Sequence, residues 1–414
     1  MLSAEIISIG NELLTGSTIN TNAAFISRQL HAIGFEVERH TSIADDKEII
    51  IETLAECLAS CPLVIATGGL GPTLDDLTRE AVSELIGSPL EFHNELAKAL
   101  LQRFGAMDSL KNQATIPKKA LILPNPLGTA SGLIFMHGNS LLVVLPGVPL
   151  EMEVLMLNEV IPYLKKLFPF SSQAREELHF FHLFESSVDP TLRHLNEKLP
   201  GLKIGIYPHN SLLSIIIEGT QREVSIAKEE LLKQFDQHYY ESSDGTVEMA
   251  VQELFIKNGW TLSLAESCTG GAIAARLTAV PGSSAYFLGS LVAYSNFVKT
   301  KVLNISSALL QEKGAVSKEV ALAMANCMQT YTSSTVAIGV TGFAGPDGGT
   351  KENPIGTVYF AINNEAYLLS AKGNRSSIIE RSVNHILGAL LSFAKNPKSL
   401  LKGERNGCTF NEIL

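Results

Sequence analysis

The chain has 414 residues, 45% hydrophobic and 18% charged, with a formal net charge of −10. That length is too great for one ordinary core and predicts two or three domains, while the apolar content argues against disorder. The acidic balance argues against a general nucleic-acid-binding surface, leaving room only for a local basic patch.

A strand opens the chain at Ile6–Ile9, so no signal peptide is expected. No apolar run reaches membrane-span length, so no membrane partner is expected. Five cysteines (57, 61, 268, 327 and 408) show neither zinc spacing nor a disulfide framework. A reducing, cytoplasmic setting follows as the expectation.

Residues 1–168 alternate strands and helices. Strands are predicted at Ile6–Ile9, Glu36–Ser42 and Leu63–Ala66, and helices at Thr21–Ile33 and Asp46–Ala59, the latter capped by Asp45 or Asp46. A hairpin at Leu133–Met136 and Leu141–Leu145 precedes a closing helix, Leu150–Lys166. This alternation predicts a parallel sheet covered on both faces. Residues 168–172 read as a linker. Residues 171–243 then give a small α+β module: strand His179–Phe184, helix Asp189–Lys198, strands Ile204–Tyr207 and Leu212–Ile217, and helix Glu223–His238.

Residues 246–396 form a third α/β segment. Helices are predicted at Met249–Lys257, Gly271–Thr278, Lys318–Thr330 and Ser376–Phe393. Strands are predicted at Thr261–Leu264, Phe287–Tyr294, Thr335–Val340, Thr357–Ile362 and Ala366–Ala371. The tail from Pro397 is polar and expected to be loosely held.

Chemistry concentrates in this third segment. Glu266 to Gly271 reads Glu-Ser-Cys-Thr-Gly-Gly at a strand-to-helix turn. A serine hydroxyl needs a base, and the only histidine in the segment, His385, lies within a helix. A Ser-Lys or Ser-Tyr-Lys arrangement fits better, with Tyr294 and Lys299 following a strand; a desolvated lysine loses basicity and can take a proton. Cys268 is the rival nucleophile. Plainer readings stand beside these: Ser267 as a helix cap, Cys268 as a buried small residue, Lys299 as a solvated charge, and the glycine-rich stretch Gly342–Gly349 as a tight connection.

In the first segment, Thr67–Arg79 follows a buried strand. Its turn at Gly69, Gly71 and Thr73 offers backbone amides to a phosphate. Asp75 and Asp76 would repel that phosphate unless a divalent cation such as Mg²⁺ intervened, and Glu12 and Asp45 are expected at the same sheet edge. The plainer reading makes Asp75 a helix cap.

Six motifs in order resemble the C-terminal domain of the CinA family, the nicotinamide mononucleotide (NMN) deamidases: Glu266–Gly271, Pro281–Ser284, Tyr294–Asn296 with Lys299, Gly314–Ser317, Thr341–Gly349 and Pro354–Val358. The resemblance implies hydrolysis of the NMN carboxamide to nicotinate mononucleotide and ammonia, without a cofactor. It makes Ser267 the nucleophile and Lys299 and Tyr294 its activating partners. The backbone at Thr269 and Gly270 would hold the oxyanion, Thr341, Gly342 and Gly345 the nucleotide, and Arg375 the phosphate. The sequence departs where the family often has a second arginine: Ile379 stands there, with Arg381 as a possible substitute.

Gly10-Asn11-Glu12, Gly68–Thr73 and Leu145–Pro149 likewise resemble the molybdopterin-binding fold of the MoaB/MogA/MoeA proteins, in its CinA version. That implies a three-layer α/β domain, with Asp45 and Asp76 matching the acidic functional positions and a divalent metal serving an ADP-ribose pyrophosphatase. The middle module resembles the KH-like segment of the family. It lacks the RNA-clamping Gly-x-x-Gly loop, which favours a spacer or homodimer role over RNA binding. Two alternatives remain open: a molybdopterin-binding or cofactor-assembly protein, and a competence or DNA-damage accessory acting through a protein partner.

Overall fold

In the computed structural model, which describes residues 2–168, 174–395 and 410–412, the chain divides into two units, Met1–Ser172 and Gln173–Leu414. The predicted linker lies mostly outside the described residues: Phe168 ends a helix, and 169–173 are not among them.

The first unit is built on strands β1 (Leu2–Ile9), β2 (Phe35–Ile43), β3 (Leu63–Thr67), β4 (Leu90–Phe92), β5 (Thr115–Pro117), β6 (Leu121–Leu123), β7 (Gly132–His137) and β8 (Ser140–Leu145). Its main sheet runs β2-β1-β3-β8-β7-β6, and β4 pairs with β5 separately. β2, β1, β3 and β8 are parallel, and β7 runs antiparallel to both of its neighbours, β8 and β6. Strand alternation divides the core between two faces. Ile6, Ile65 and Val143 pack on one side with Ile26, Leu30, Met152 and Leu155. Ile7, Val64 and Val144 pack on the other with Ile50, Leu54, Ala81 and Val82. This is the expected three-layer α/β arrangement.

Two local expectations are refined. Asp46 is the helix cap, accepting from Ile49 N at 3.1 Å, whereas Asp45 accepts from Asn11 N at 2.8 Å. The closing helix is interrupted: Pro149–Leu155 widens into a π-helical stretch at Met156–Val160 before Ile161–Leu167. Pro162 lacks an N–H and would press its ring against the carbonyl four residues back, and the wider turn accommodates it. The helix Asn94–Phe104, absent from the sequence reading, also belongs to this unit.

The second unit holds two sheets. Strands β9 (Ala174–Phe181), β10 (Lys203–His209), β11 (Leu212–Gly219) and β12 (Tyr239–Tyr240) form an antiparallel sheet in the order β10-β11-β9-β12. Helices Glu185–Lys198 and Gln221–Phe235 cover it through Val188, Leu192, Leu195, Val224 and Leu231. The remaining strands are β13 (Leu262–Glu266), β14 (Phe287–Val292), β15 (Val336–Gly342), β16 (Thr357–Ile362), β17 (Glu365–Ser370) and β18 (Phe410–Glu412), ordered β14-β13-β15-β16-β17-β18. Of the tail from Pro397, only β18 is among the described residues, paired with β17. The 21-residue helix Arg375–Lys395 ties both sheets together. His385 stacks on His182 at 3.8 Å between ring centroids, and Asn384 donates to the carbonyls of His209 and Asn210.

β14, β13 and β15 run parallel. Their carboxyl ends therefore release Tyr294, Ser267 and the loop after Gly342 at one edge, where open α/β sheets bind ligands. No helix among the described residues is long and apolar enough to cross a membrane.

Candidate functional site

β13 delivers a turn at 267–271, in which Gly270 and Gly271 take left-handed conformations (φ 64° and 95°) that a side chain would strain. Ser267 does not cap the helix that follows. The cap position of Ala272–Thr278 is Gly271, without a side-chain hydrogen bond. The serine instead faces Lys299, whose Nζ lies 2.9 Å from its Oγ.

Lys299 follows β14 as expected, on a short helix, Asn296–Lys301, capped by Ser295. It is buried, with 1% of its surface exposed, which overturns the reading of a solvated charge. Its other partners are the carbonyls of Ala293 at 2.7 Å and Tyr294 at 3.3 Å. A neutral amine has two N–H bonds and one lone pair. The two carbonyls can only accept, so they take the N–H bonds and leave the lone pair for the Ser267 hydroxyl. Burial lowers the Lys299 pKa from its ordinary value and favours that neutral form.

Cys268 also lines the cavity, but burial pushes its thiol up to about 12. It remains a protonated side chain packed into the core and is a poor nucleophile.

The cavity at this edge has a volume of about 220 Å³. Thr341, Gly342, Gly345 and Arg375 all line it, as does Tyr294. Tyr294 is not placed as expected: its carbonyl, not its hydroxyl, meets Lys299. The exposed side chain reaches the rim, where its hydroxyl accepts from Arg375 Nη2 at 2.7 Å. Arg375 Nη1 donates to Gly345 O at 2.6 Å. The Thr341 hydroxyl donates to Ala315 O at 2.7 Å, so that residue braces a neighbouring loop. Ile379 packs against the domain core, and Arg381 is not among the lining residues, so Arg375 is the arginine of this site. Asn296, from the Tyr294–Asn296 motif, and Asp347, from the Gly342–Gly349 loop, also line the cavity.

Thr269 is engaged through its side chain, and Gly270 through its backbone amide. The Thr269 hydroxyl donates to Glu266 at 2.8 Å, and Gly270 N donates to Ser267 O at 3.1 Å. The amide of Gly270, assigned to an oxyanion, thus closes the turn in this structure.

In the first unit the glycine-rich turn is already filled. Asp76 accepts from Gly71 N at 2.8 Å and Thr73 N at 2.9 Å, taking the place expected for a phosphate. The Thr73 hydroxyl lies 2.5 Å from both Asp75 and Asp76. Asp75 does not cap the helix Thr78–Ile86, whose cap position is Leu77. Gly69 takes φ 65° and accepts from Thr78 N through its carbonyl. Burial raises the Asp45 pKa, reinforced by the charges of Glu12, Asp75 and Asp76. These four carboxylates share one field, yet among the described residues no three His, Cys, Asp or Glu side chains are grouped to hold a metal ion. The residues expected as metal ligands do not form a ligand cage here. A small cavity of about 80 Å³ at this edge is lined by Glu12, Asn22, Thr67 and Gly147.

The model for the "CinA C-terminal domain" family matches residues 244–394, and that for the "Probable molybdopterin binding domain" matches residues 5–166. A CinA-like protein of Geotalea uraniireducens is 39% identical over 372 residues, covering 86% of this chain and 88% of the relative. Among solved structures, CinA of Thermoplasma acidophilum is 37% identical with a TM-score of 0.37, over 40% of this chain and 96% of that one. The competence damage-inducible protein A of Klebsiella pneumoniae is 32% identical with a TM-score of 0.36, over 36% and 96%. With near full-length relatives at this identity, the chain belongs to the CinA family.

Proposed function

We propose that the C-terminal part of the chain is a serine amidohydrolase that converts NMN to nicotinate mononucleotide and ammonia. The observation that carries this reading is the 2.9 Å contact between Ser267 Oγ and the buried Lys299 Nζ. Ser267 attacks the carboxamide carbon as its proton passes to Lys299. The tetrahedral intermediate collapses when Lys299 returns that proton to the leaving nitrogen, releasing ammonia and an ester on Ser267. Water then attacks the ester, giving a proton to Lys299. The carboxylate product leaves as Ser267 regains its hydrogen.

The cavity, at about 220 Å³, is smaller than the roughly 300–1,000 Å³ of typical ligand pockets. It suits the pyridine carboxamide end of NMN and leaves the phosphate at the rim, where Arg375 is exposed and can form a bidentate pair. Ammonia release from NMN by the purified chain tests the reading. Wild-type turnover with loss in Ser267→Ala supports it, and equal ammonia from both overturns it.

For the N-terminal unit the second reading is metal-dependent hydrolysis of ADP-ribose. Its support is Asp45, on which burial and then the charges of Glu12, Asp75 and Asp76 weigh, a repulsion that a divalent cation would relieve. AMP release from ADP-ribose that stops on adding EDTA supports it, and release that persists in EDTA contradicts it.

A further inference from the structure

Glu266 is fully buried at the end of β13, and among the described residues no basic side chain forms a salt bridge with it. Its charge is met by five donors instead. Oε2 accepts from Thr269 Oγ1 at 2.8 Å, Gly271 N at 3.1 Å and Ile273 N at 3.2 Å. Oε1 accepts from Ala274 N and Ser290 Oγ, both at 3.1 Å. Buried polar groups are normally hydrogen-bonded, and bonds to an ionised carboxylate are among the stronger ones.

Those donors come from three directions: the serine turn, the following helix and the neighbouring strand β14. Ser267 lies between Glu266 and Thr269, which share one carboxylate. Glu266 also reaches the base. Its backbone carbonyl accepts from Ala293 N at 2.8 Å, and the Ala293 carbonyl in turn receives Lys299 Nζ. Both halves of the Ser267–Lys299 contact thus trace back to one position.

We propose that Glu266 is the positioning residue for the nucleophile: its carboxylate fixes the turn so that Ser267 Oγ meets the Lys299 lone pair. The proposal rests on Ser267 being the nucleophile, not on the identity of the substrate. Glutamine in its place would keep the shape but set an NH₂ group against at least two of the five donors. The turn would relax, and a shift of an ångström at a reacting atom costs about 100-fold.

The test treats the full chain with a fluorophosphonate, in which Ser267 Oγ displaces fluoride from phosphorus. The rate, final stoichiometry and pH midpoint of labelling on the Ser267 peptide are measured by mass spectrometry. The expected result is one label per chain for wild type. Glu266→Gln should reach the same endpoint about 100-fold more slowly with the midpoint unmoved. An unchanged endpoint separates misplacement from unfolding. Ser290→Ala, which removes a single donor, should slow labelling by about fivefold, and it decides the matter if Glu266→Gln fails to fold. Wild-type labelling rates in the variants would overturn the proposal, as would a midpoint that moves with the rate. A wild type that never labels at Ser267 overturns the nucleophile and the proposal together. Labelling without ammonia release from NMN removes the proposed substrate and leaves the positioning role standing.

Discussion

Lys299 Nζ stands 2.9 Å from Ser267 Oγ and 2.7 Å from the carbonyl of Ala293, so the amine is aimed at the hydroxyl by the backbone just past β14. The pair therefore behaves as one unit. Ser267→Ala should abolish ammonia release. Lys299→Met should lower kcat by about 10²–10⁴-fold, the range typical of a lost general base. Cys268→Ala should retain most activity, because its thiol is held at about 12 and stays protonated. Steady-state kinetics on the three variants checks all of this.

The pH dependence follows from the same lysine. Burial lowers its pKa below the ordinary 10.5. The protonated amine is inactive as a base, so kcat/KM should rise with pH and level off at a midpoint below that value. A midpoint at or above it would mean that the base is solvated.

Arg375 bridges Tyr294 Oη and Gly345 O across the cavity rim. Arg375→Ala should raise KM for NMN by about 10–100-fold, as expected for one lost charge-assisted contact of about 1.5–3 kcal/mol, with kcat little changed. The unphosphorylated nucleoside should be insensitive to the substitution. Equal losses on both would place Arg375 in the chemistry rather than in phosphate binding.

A second titration concerns stability. His182 and His385 stack in the interior of the second unit, and burial lowers both pKa values, that of His182 to about 4. His238, whose pKa is also lowered by burial, adds its field to His182. Between the ordinary 6.5 and about 4, the unfolded imidazole binds a proton that the folded one refuses. Stability should therefore fall as pH drops through that window. Thermal melts from pH 7 to pH 4 should show a shallower decline in His182→Phe than in wild type.

Gly356, with φ 94°, precedes β16, and a Cβ there would run into the carbonyl oxygen of Ala371. Gly356→Ala should cost about 1–3 kcal/mol, read as a lower unfolding midpoint in denaturant.

The sequence made some of this legible and hid the rest for identifiable reasons. Apolar runs such as Leu63–Ala66 mark the strands, and the motif at 266–271 marks the strand-to-helix turn that carries Ser267. Lys299 and Ser267 could be paired because both follow parallel strands that end at one edge. The side chain and carbonyl of a residue point in different directions, and only coordinates show which one reaches a partner. Tyr294 is thus legible as a partner of Lys299, whereas the contact through its carbonyl is not. Glu266 sat in the quoted motif without a role, since a buried acid satisfied by amides leaves no charge pattern in sequence. The amide-rich turn at Gly71 and Thr73 suggested a phosphate, and the acid that fills it, Asp76, follows only a few residues later. The helix Asn94–Phe104 carries no motif, and amphipathic spacing is its only signal in the sequence. Pro162 is the signal of the π-helical stretch at Met156–Val160, within a segment whose periodicity predicts continuous helix.

The central claim is that Ser267 carries the acyl group. Wild-type chain mixed with NMN, quenched in acid within the first turnovers and digested, should yield a nicotinate mononucleotide ester on the peptide containing Ser267 when analysed by fragmentation mass spectrometry. An adduct resolved onto Cys268, or ammonia release that persists undiminished in Ser267→Ala with no adduct at all, would contradict the account.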